Sequence, residues 1–299
     1  MTEDVHPELR RIARILPRSV LTPRLLPLHR LGGAVINRVG RSRAPAFGTE
    51  SVSVRLHQPA SMTGPRPGLL WIHGGGYIAG TATGDDALCR QFAETLGIVV
   101  AAVDYRLAPE HQFPTALHDC YEGLAWLANH DSVDRSRLAI GGLSGGGGLA
   151  AALALLARER AEIKLRLQLL AYPMLDDRTA TRTDIDQTNV KGWDNTSNAF
   201  GWRSYLGQAP GSPDVSPLAA PGRCQDFAGL APAWIGVGSL DLFYEESLAY
   251  AHGLTEAGVP CHLDVVTGAF HGFDLVRPRA NVSKAFRAAQ MTALADALR

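Results

Sequence analysis

The sequence is nearly without lysine. Three lysines, at positions 164, 191 and 284, occur in 299 residues, so arginine supplies almost all of its 29 basic side chains. Nor is there an excess of either sign: 29 acidic residues balance the basic ones and the formal net charge is zero. A balanced chain lacks the electrostatic footprint of a nucleic-acid-binding protein, so no nucleic-acid partner is expected. Cysteine is also scarce. Cys89, Cys120, Cys224 and Cys261 are far apart and form no C-x-x-C pair, which argues against a zinc knuckle or a thioredoxin-type site. They are expected to be reduced, mostly buried small hydrophobes, and no metal or organic cofactor is expected. Long apolar runs are missing as well. The longest, Leu149 to Ala157, falls far short of the ~20 residues of a membrane span, so no stable membrane insertion is expected. The chain opens on acidic residues and recurrent arginines with no apolar core behind them, unlike a secretory signal. A cytoplasmic location is the default expectation.

What is present is ordinary globular chemistry. Hydrophobic residues make up 46% and charged residues 19%, enough apolar material for a large core and too much for a disordered chain. The length alone would allow two domains, although α/β folds of this size are often one. The neutral total hides a split. Residues 1–43 hold nine arginines against Glu3, Asp4 and Glu8, a balance of +6, so the remainder carries −6.

After residue 50 short β-rich runs alternate with helical segments. Ser51–His57 alternates with period two, as a half-buried strand does. Gly68–Ile72, Ile98–Asp104, Leu138–Gly142, Leu165–Ala171, Ala233–Gly238 and His262–Thr267 are short apolar runs bounded by turn residues, the pattern of strands buried on both faces. Helices are expected near Asp85–Leu96, Thr115–Asn129, Gly147–Arg160, Glu245–Ala257 and Val282–Leu298. This alternation predicts an α/β fold with a mostly parallel sheet. Two segments break it. Residues 1–45 show helical spacing at Leu9, Ile12, Ile15 and Leu16, then a Pro-broken stretch. Residues 176–222 are polar and rich in Gly and Pro, with a short helix expected around Thr196–Tyr205. Such an insertion after a strand reads as a lid or as ordinary surface packing.

Gly142-Leu143-Ser144-Gly145-Gly146 has the form G-x-S-x-G where a strand should hand over to a helix. A sharp turn there exposes the serine Oγ above the sheet and tolerates only small neighbours. The helix that follows aims its N-terminus at the site and favours developing negative charge. Taken alone, the pentapeptide could also be a Gly-rich turn or a phosphate cradle. No Gly-Lys-Ser/Thr follows, and no acidic residue ends a strand about 20 residues on, so neither nucleotide motif fits. His73-Gly74-Gly75-Gly76 lies upstream, just after a strand. Acyl transfer needs N–H donors aimed at a tetrahedral oxyanion, and glycines let a backbone come that close. Gly74, Gly75 and Gly145 are the expected donors, with His73 holding the loop. A triad in the order Ser, acid, His is then completed by Asp241 and His271, both just past strand ends. Asp176, Asp177 and Glu246 are the alternative acids.

These motifs resemble the hormone-sensitive lipase family of α/β-hydrolase esterases, also called bacterial lipolytic family IV. The resemblance rests on H-G-G-G at 73–76, on Asp104-Tyr105-Arg106-Leu107-Ala108-Pro109-Glu110-His111 with Phe113-Pro114 behind it, and on G-x-S-x-G at 142–146. Tyr172-Pro173, Asp241 with Glu245-Glu246, and His271-Gly272-Phe273 also match. Together they span about residues 66–275. The resemblance implies an α/β-hydrolase fold, a mostly parallel eight-stranded sheet flanked by helices with a helical cap. It places a cap arm at 1–45, a cap insertion at 176–212, and the catalytic body at 46–175 and 213–299. It also implies that the 104–111 segment packs beneath the active-site loops. Two departures stand out: Leu143 and Gly145 flank the serine where the family usually has Asp and Ala, and Leu242-Phe243 replace the usual Pro-Leu after the acid.

The function implied is a serine carboxylesterase acting on short- to medium-chain acyl esters, with a small-molecule ester as its partner. Amide, lactone or carbamate hydrolysis on the same triad is the alternative. A non-catalytic ligand-binding protein on this scaffold is a further one, and such proteins generally lose the catalytic histidine. Tyr77, Leu143, Trp193, Phe200 and Trp202 are candidates to line an apolar substrate pocket, with core packing as the alternative role. A homodimer is compatible with the family resemblance. The basic arm reads as a cap segment with a solvated arginine face, and a membrane-surface helix is its alternative. Some of the arm's arginines are expected to bridge cap to body by salt links that tune lid closure, with charge reversal of Arg10, Arg11 and Arg14 as the test.

Overall fold

The computed structural model describes residues 4–19, 21–40, 46–48 and 52–299. Its strands are β1 (Ala46–Gly48), β2 (Ser53–His57), β3 (Arg66–Ile72), β4 (Val99–Asp104), β5 (Val133–Leu143), β6 (Leu167–Ala171), β7 (Ala233–Gly238) and β8 (Cys261–Val266). Its α-helices are α1 (Arg10–Ala13), α2 (Leu26–Gly40), α3 (Asp86–Leu96), α4 (Thr115–Ala128), α5 (Gly145–Arg160), α6 (Asn195–Leu206), α7 (Tyr244–Glu256), α8 (Phe273–Val276) and α9 (Asn281–Ala297). The strands form one sheet in the order β1-β2-β4-β3-β5-β6-β7-β8. β1 pairs antiparallel with β2, and β2 with β4; every other pairing is parallel. An eight-stranded, mostly parallel sheet is therefore present.

Side chains alternate between the two faces of the sheet. Leu70 and Ile72 of β3 join Leu124 of α4, Leu153 of α5 and Leu254 of α7 in one core. Leu69 and Trp71 join Phe92 of α3 and Phe286 and Leu294 of α9 in the other. Such two-sided burial explains the unbroken apolar runs of the central strands. α5 reaches the sheet closely because it opens on four glycines. A Cβ on Gly146 would stand 2.1 Å from the Ile72 carbonyl oxygen, and one on Gly148 would stand 2.0 Å from that of Met174. No side chain fits at either position.

The N-terminal arm divides into three parts. Val5, Leu9 and Ala13 pack into the core of the body, and the His6 N–H donates to Gly268 O at 2.9 Å. Residues 17–19 meet the 176–212 insertion: the Gly192 N–H donates to Pro17 O at 3.0 Å and Ser19 Oγ to Asp194 Oδ1 at 2.5 Å. The Pro-broken stretch expected beyond holds instead the 15-residue α2. Its proline, Pro27, is the second helical residue, and a proline in the first turn removes no helical hydrogen bond. One arm-to-body ion pair is made by Arg30 with Glu110 (2.6 Å). Arg10 Nε donates to the nearby Val5 carbonyl.

Candidate active site

Three strand ends bring the sequence-derived residues together. Ser144 follows β5, Asp241 lies three residues past β7, and His271 lies on the loop after β8. Parallel strands put all three at their C-terminal edge, where open α/β sheets bind ligands. Ser144 sits at φ 56°, ψ −122°, a conformation rare for a residue with a side chain. Its N–H donates to Ala171 O at 2.9 Å, while its carbonyl accepts from Gly148 and Met174, both at 3.0 Å. Those bonds fix the turn between β5 and α5.

Ser144 Oγ lies 2.9 Å from His271 Nε2, and His271 Nδ1 lies 2.8 Å from Asp241 Oδ2. The other Asp241 oxygen accepts from the Phe243 N–H at 2.9 Å. A carboxylate facing Nδ1 assigns the proton to that nitrogen, so Nε2 is bare and accepts from the serine hydroxyl. The Asp241 side chain is fully buried and that of His271 is 10% exposed, so the relay sits in a largely dry setting. Tyr172 and Phe243 stand edge-on to the imidazole, with centroids at 4.9 and 5.2 Å. Tyr172 is itself held by donating to the buried Asp274 at 2.9 Å. The sequence reading did not assign either ring to the histidine.

The alternative acids are occupied elsewhere. Asp177 accepts from Arg223 at 2.6 and 2.9 Å and from the Gly211 N–H at 2.6 Å. Asp176 accepts from Arg178. Glu246 is buried and accepts from the Leu175 N–H at 2.6 Å, the Asp176 N–H at 3.4 Å and the Thr179 hydroxyl. Burial outweighs those hydrogen bonds and pushes its carboxyl well above the usual carboxylate range.

The 73–76 loop lies against the serine turn, backbone to backbone. A Cβ on Gly74 would stand 3.4 Å from the Ser144 Cβ, and one on Gly145 would stand 3.0 Å from the backbone nitrogens of Gly76 and Tyr77. Gly145 opens α5, so its N–H has no acceptor within the helix. Gly76, which the sequence reading left out of the donor set, approaches Gly145 closely. It also has φ +58°, and a Cβ there would meet the Trp193 ring at 2.1 Å. The 104–111 segment backs this loop: Tyr105 stacks on His73 (centroids 4.3 Å) and donates to His73 O at 3.1 Å, and the Ala108 N–H donates to Tyr77 O at 3.0 Å. His73 Nδ1 lies 2.8 Å from Gly74 O, which fits a loop-holding side chain.

The candidate pocket residues separate. Trp193 lies against Gly76 and 6.5 Å, centroid to centroid, from His271. Leu143 Cδ1 comes within 2.5 Å of where a Gly74 Cβ would stand. Phe200 is half-buried on the core. Tyr77 and Trp202 are instead packing residues: their rings meet at 5.2 Å, Tyr77 stacks on Tyr205 at 4.2 Å, and its hydroxyl donates to Met174 O at 2.9 Å. Both are at most 1% exposed, so the pocket role expected of them gives way to the core role. A cavity of about 340 Å³ lies where Arg182, Asp184 and Asn189 of the insertion meet Asp241, Tyr244 and Glu245 of the body.

A sheet of this topology, carrying a serine turn, a histidine and an acid at three strand ends, defines an α/β-hydrolase. The sequence profile of the α/β-hydrolase fold family matches residues 69–275. Esterase LipI of Mycobacterium tuberculosis is 35% identical over 69% of this chain and 65% of its own length. An ethyl acetate hydrolase of Pseudomonas putida is 33% identical over 75% of this chain and 71% of its own. Among solved structures, a bacterial heroin esterase superimposes with a TM-score of 0.89 at 36% identity, covering 100% of this chain and 99% of that one. The chain thus spans just under two thirds of LipI and nearly all of the heroin esterase. The chain belongs to the α/β-hydrolase family, in its hormone-sensitive-lipase branch of esterases.

Proposed function

We propose that this protein is a serine carboxylesterase acting on short- to medium-chain acyl esters. The observation that carries the reading is the relay from Ser144 Oγ through His271 to Asp241, at 2.9 and 2.8 Å. His271 Nε2 takes the serine proton as Oγ bonds to the acyl carbon. Asp241 keeps the proton on Nδ1 and stabilises the imidazolium. The tetrahedral oxyanion is met by the N–H of Gly145 and by the loop donors Gly74 and Gly75, with Gly76 as a further candidate. One such donor is worth about 10²–10³ in kcat. The imidazolium returns its proton to the leaving alcohol. Water, deprotonated by the same nitrogen, then releases the acid and frees Ser144.

Trp193 and Leu143 crowd the glycine loop beside the serine, and they support the preference for compact acyl groups. The arm, residues 1–45, and the insertion, residues 176–212, serve as the cap, and residues 46–175 and 213–299 are the catalytic body. The four free cysteines suit a reducing, cytoplasmic setting. p-Nitrophenyl esters graded from acetate to palmitate test the substrate class, with a matched anilide for the amide alternative. The expected result is a maximum of kcat/KM between acetate and octanoate. Palmitate and the anilide are each expected to be more than about tenfold lower, a difference of ~1.4 kcal/mol in transition-state binding. A maximum at palmitate, or an anilide as fast as the ester, contradicts it.

A further inference from the structure

α2 is attached to the body by one face. Leu26 is buried, and Gly33 stands against the Thr81 methyl. Arg30 donates to the carbonyls of Ile78 and Ala108 at 2.9 and 2.5 Å and pairs with Glu110. At 3.6 residues per turn the opposite face carries Leu28, Leu31 and Val35, which are 66%, 63% and 56% exposed. Ile15 and Leu25 are exposed as well. Five of the seven exposed large apolar side chains among the described residues therefore fall in the first 35 positions. The same stretch of sequence carries the molecule's positive charge, nine arginines against three acids in residues 1–43. Two copies meeting through this arm would bring like charges together, whereas an anionic surface would be attracted. An exposed apolar stripe within an arginine-rich stretch of sequence is the chemistry of helices that lie in the plane of a lipid interface.

We propose that α2 and the basic arm form a reversible docking surface for anionic phospholipid. Leu28, Leu31 and Val35 enter the boundary between headgroup and acyl chain, and the arginines meet the phosphates. This goes beyond the proposed hydrolysis and stands independently of it. Because Arg30 and Gly33 hold α2 to the 78–81 segment just after the glycine loop, docking brings that side of the site close to the lipid.

The test is co-sedimentation of the full chain with phosphatidylglycerol vesicles and, in parallel, with phosphatidylcholine vesicles. Salt is set at ~0.01 M and ~0.15 M, where screening lengths are about 30 and 8 Å. Binding is expected on phosphatidylglycerol at low salt, weaker at the higher salt, and slight on phosphatidylcholine. The double variant Leu28→Ser/Leu31→Ser should lose at least about tenfold in partitioning. Arg24→Glu, at an exposed position, should weaken binding to phosphatidylglycerol. Hydrolysis of p-nitrophenyl acetate in solution should be unchanged in both variants, which separates this proposal from the catalytic one. Three results would overturn it: no sedimentation with phosphatidylglycerol at low salt, a double variant that binds as the wild type does, or a wild-type dimer that the double variant converts to monomer.

Discussion

Ser144 holds a backbone conformation that costs a residue with a side chain about 1–3 kcal/mol, and three backbone hydrogen bonds keep it there. The strain aims Oγ at His271. Asp241 acts one residue further back, and its effect is testable on its own. Asp241→Asn should keep the Phe243 N–H bond and the packing while presenting an amide donor to Nδ1. The imidazole then carries its proton on Nε2 and cannot accept from Ser144. We expect kcat for p-nitrophenyl acetate to fall by about 10⁴ with the thermal midpoint little changed; a loss below tenfold would contradict the assigned role. Ser144, Asp241 and His271 were legible because acyl transfer demands those side chains, in that order, past strand ends. Tyr172 and Phe243 were not assigned to the histidine, since ring packing across 99 or 28 positions of chain leaves no local pattern. For Tyr77 and Trp202 pocket and core both stayed open, because an apolar ring beside a catalytic loop has the same sequence signature whether it faces substrate or core.

At the scale of elements, the central strands and the helices between them lie within a few residues of where apolar periodicity put them, and Ala233–Gly238 coincides. α2 escaped because prolines and paired glycines read as breakers, and because its outward face is apolar, unlike that of a surface helix. The root of the 176–212 insertion depends on α7. Glu246 bonds the backbone at 175–176 and the Thr179 hydroxyl, and burial raises its carboxyl above its ordinary value of 4.5. The folded state therefore holds this proton at pH values where the unfolded chain has lost it. Its contribution to stability is full below about pH 4.5 and is lost as pH rises toward the folded value. Glu246→Gln can keep both contacts, its carbonyl accepting from the backbone and its amide donating to Thr179. The thermal midpoint of the variant relative to wild type should therefore rise as pH is raised above about 4.5. A constant difference above that pH would mean that Glu246 is ionised when folded.

Across the whole molecule, one sheet collects segments separated by up to 127 positions into a single relay. The arm and insertion then add what the sheet lacks: contacts over the glycine loop and an outward apolar face. Chain order and strand-end placement make that assembly readable from the sequence. The arm's division was not readable, because its three parts differ in what they touch rather than in composition. The charge split into a basic arm and an acidic body takes structural form in the bridge from Arg30 to Glu110. The central claim is that Ser144 becomes covalently acylated. It is tested by quenching the reaction with p-nitrophenyl butyrate in acid and mapping the modified peptide by mass. The account predicts one butyryl group on the Ser144 peptide of the wild type. It predicts none in Ser144→Ala, whose kcat should fall by about 10⁴ or more. An acyl group on another residue, or undiminished hydrolysis by Ser144→Ala, would contradict it.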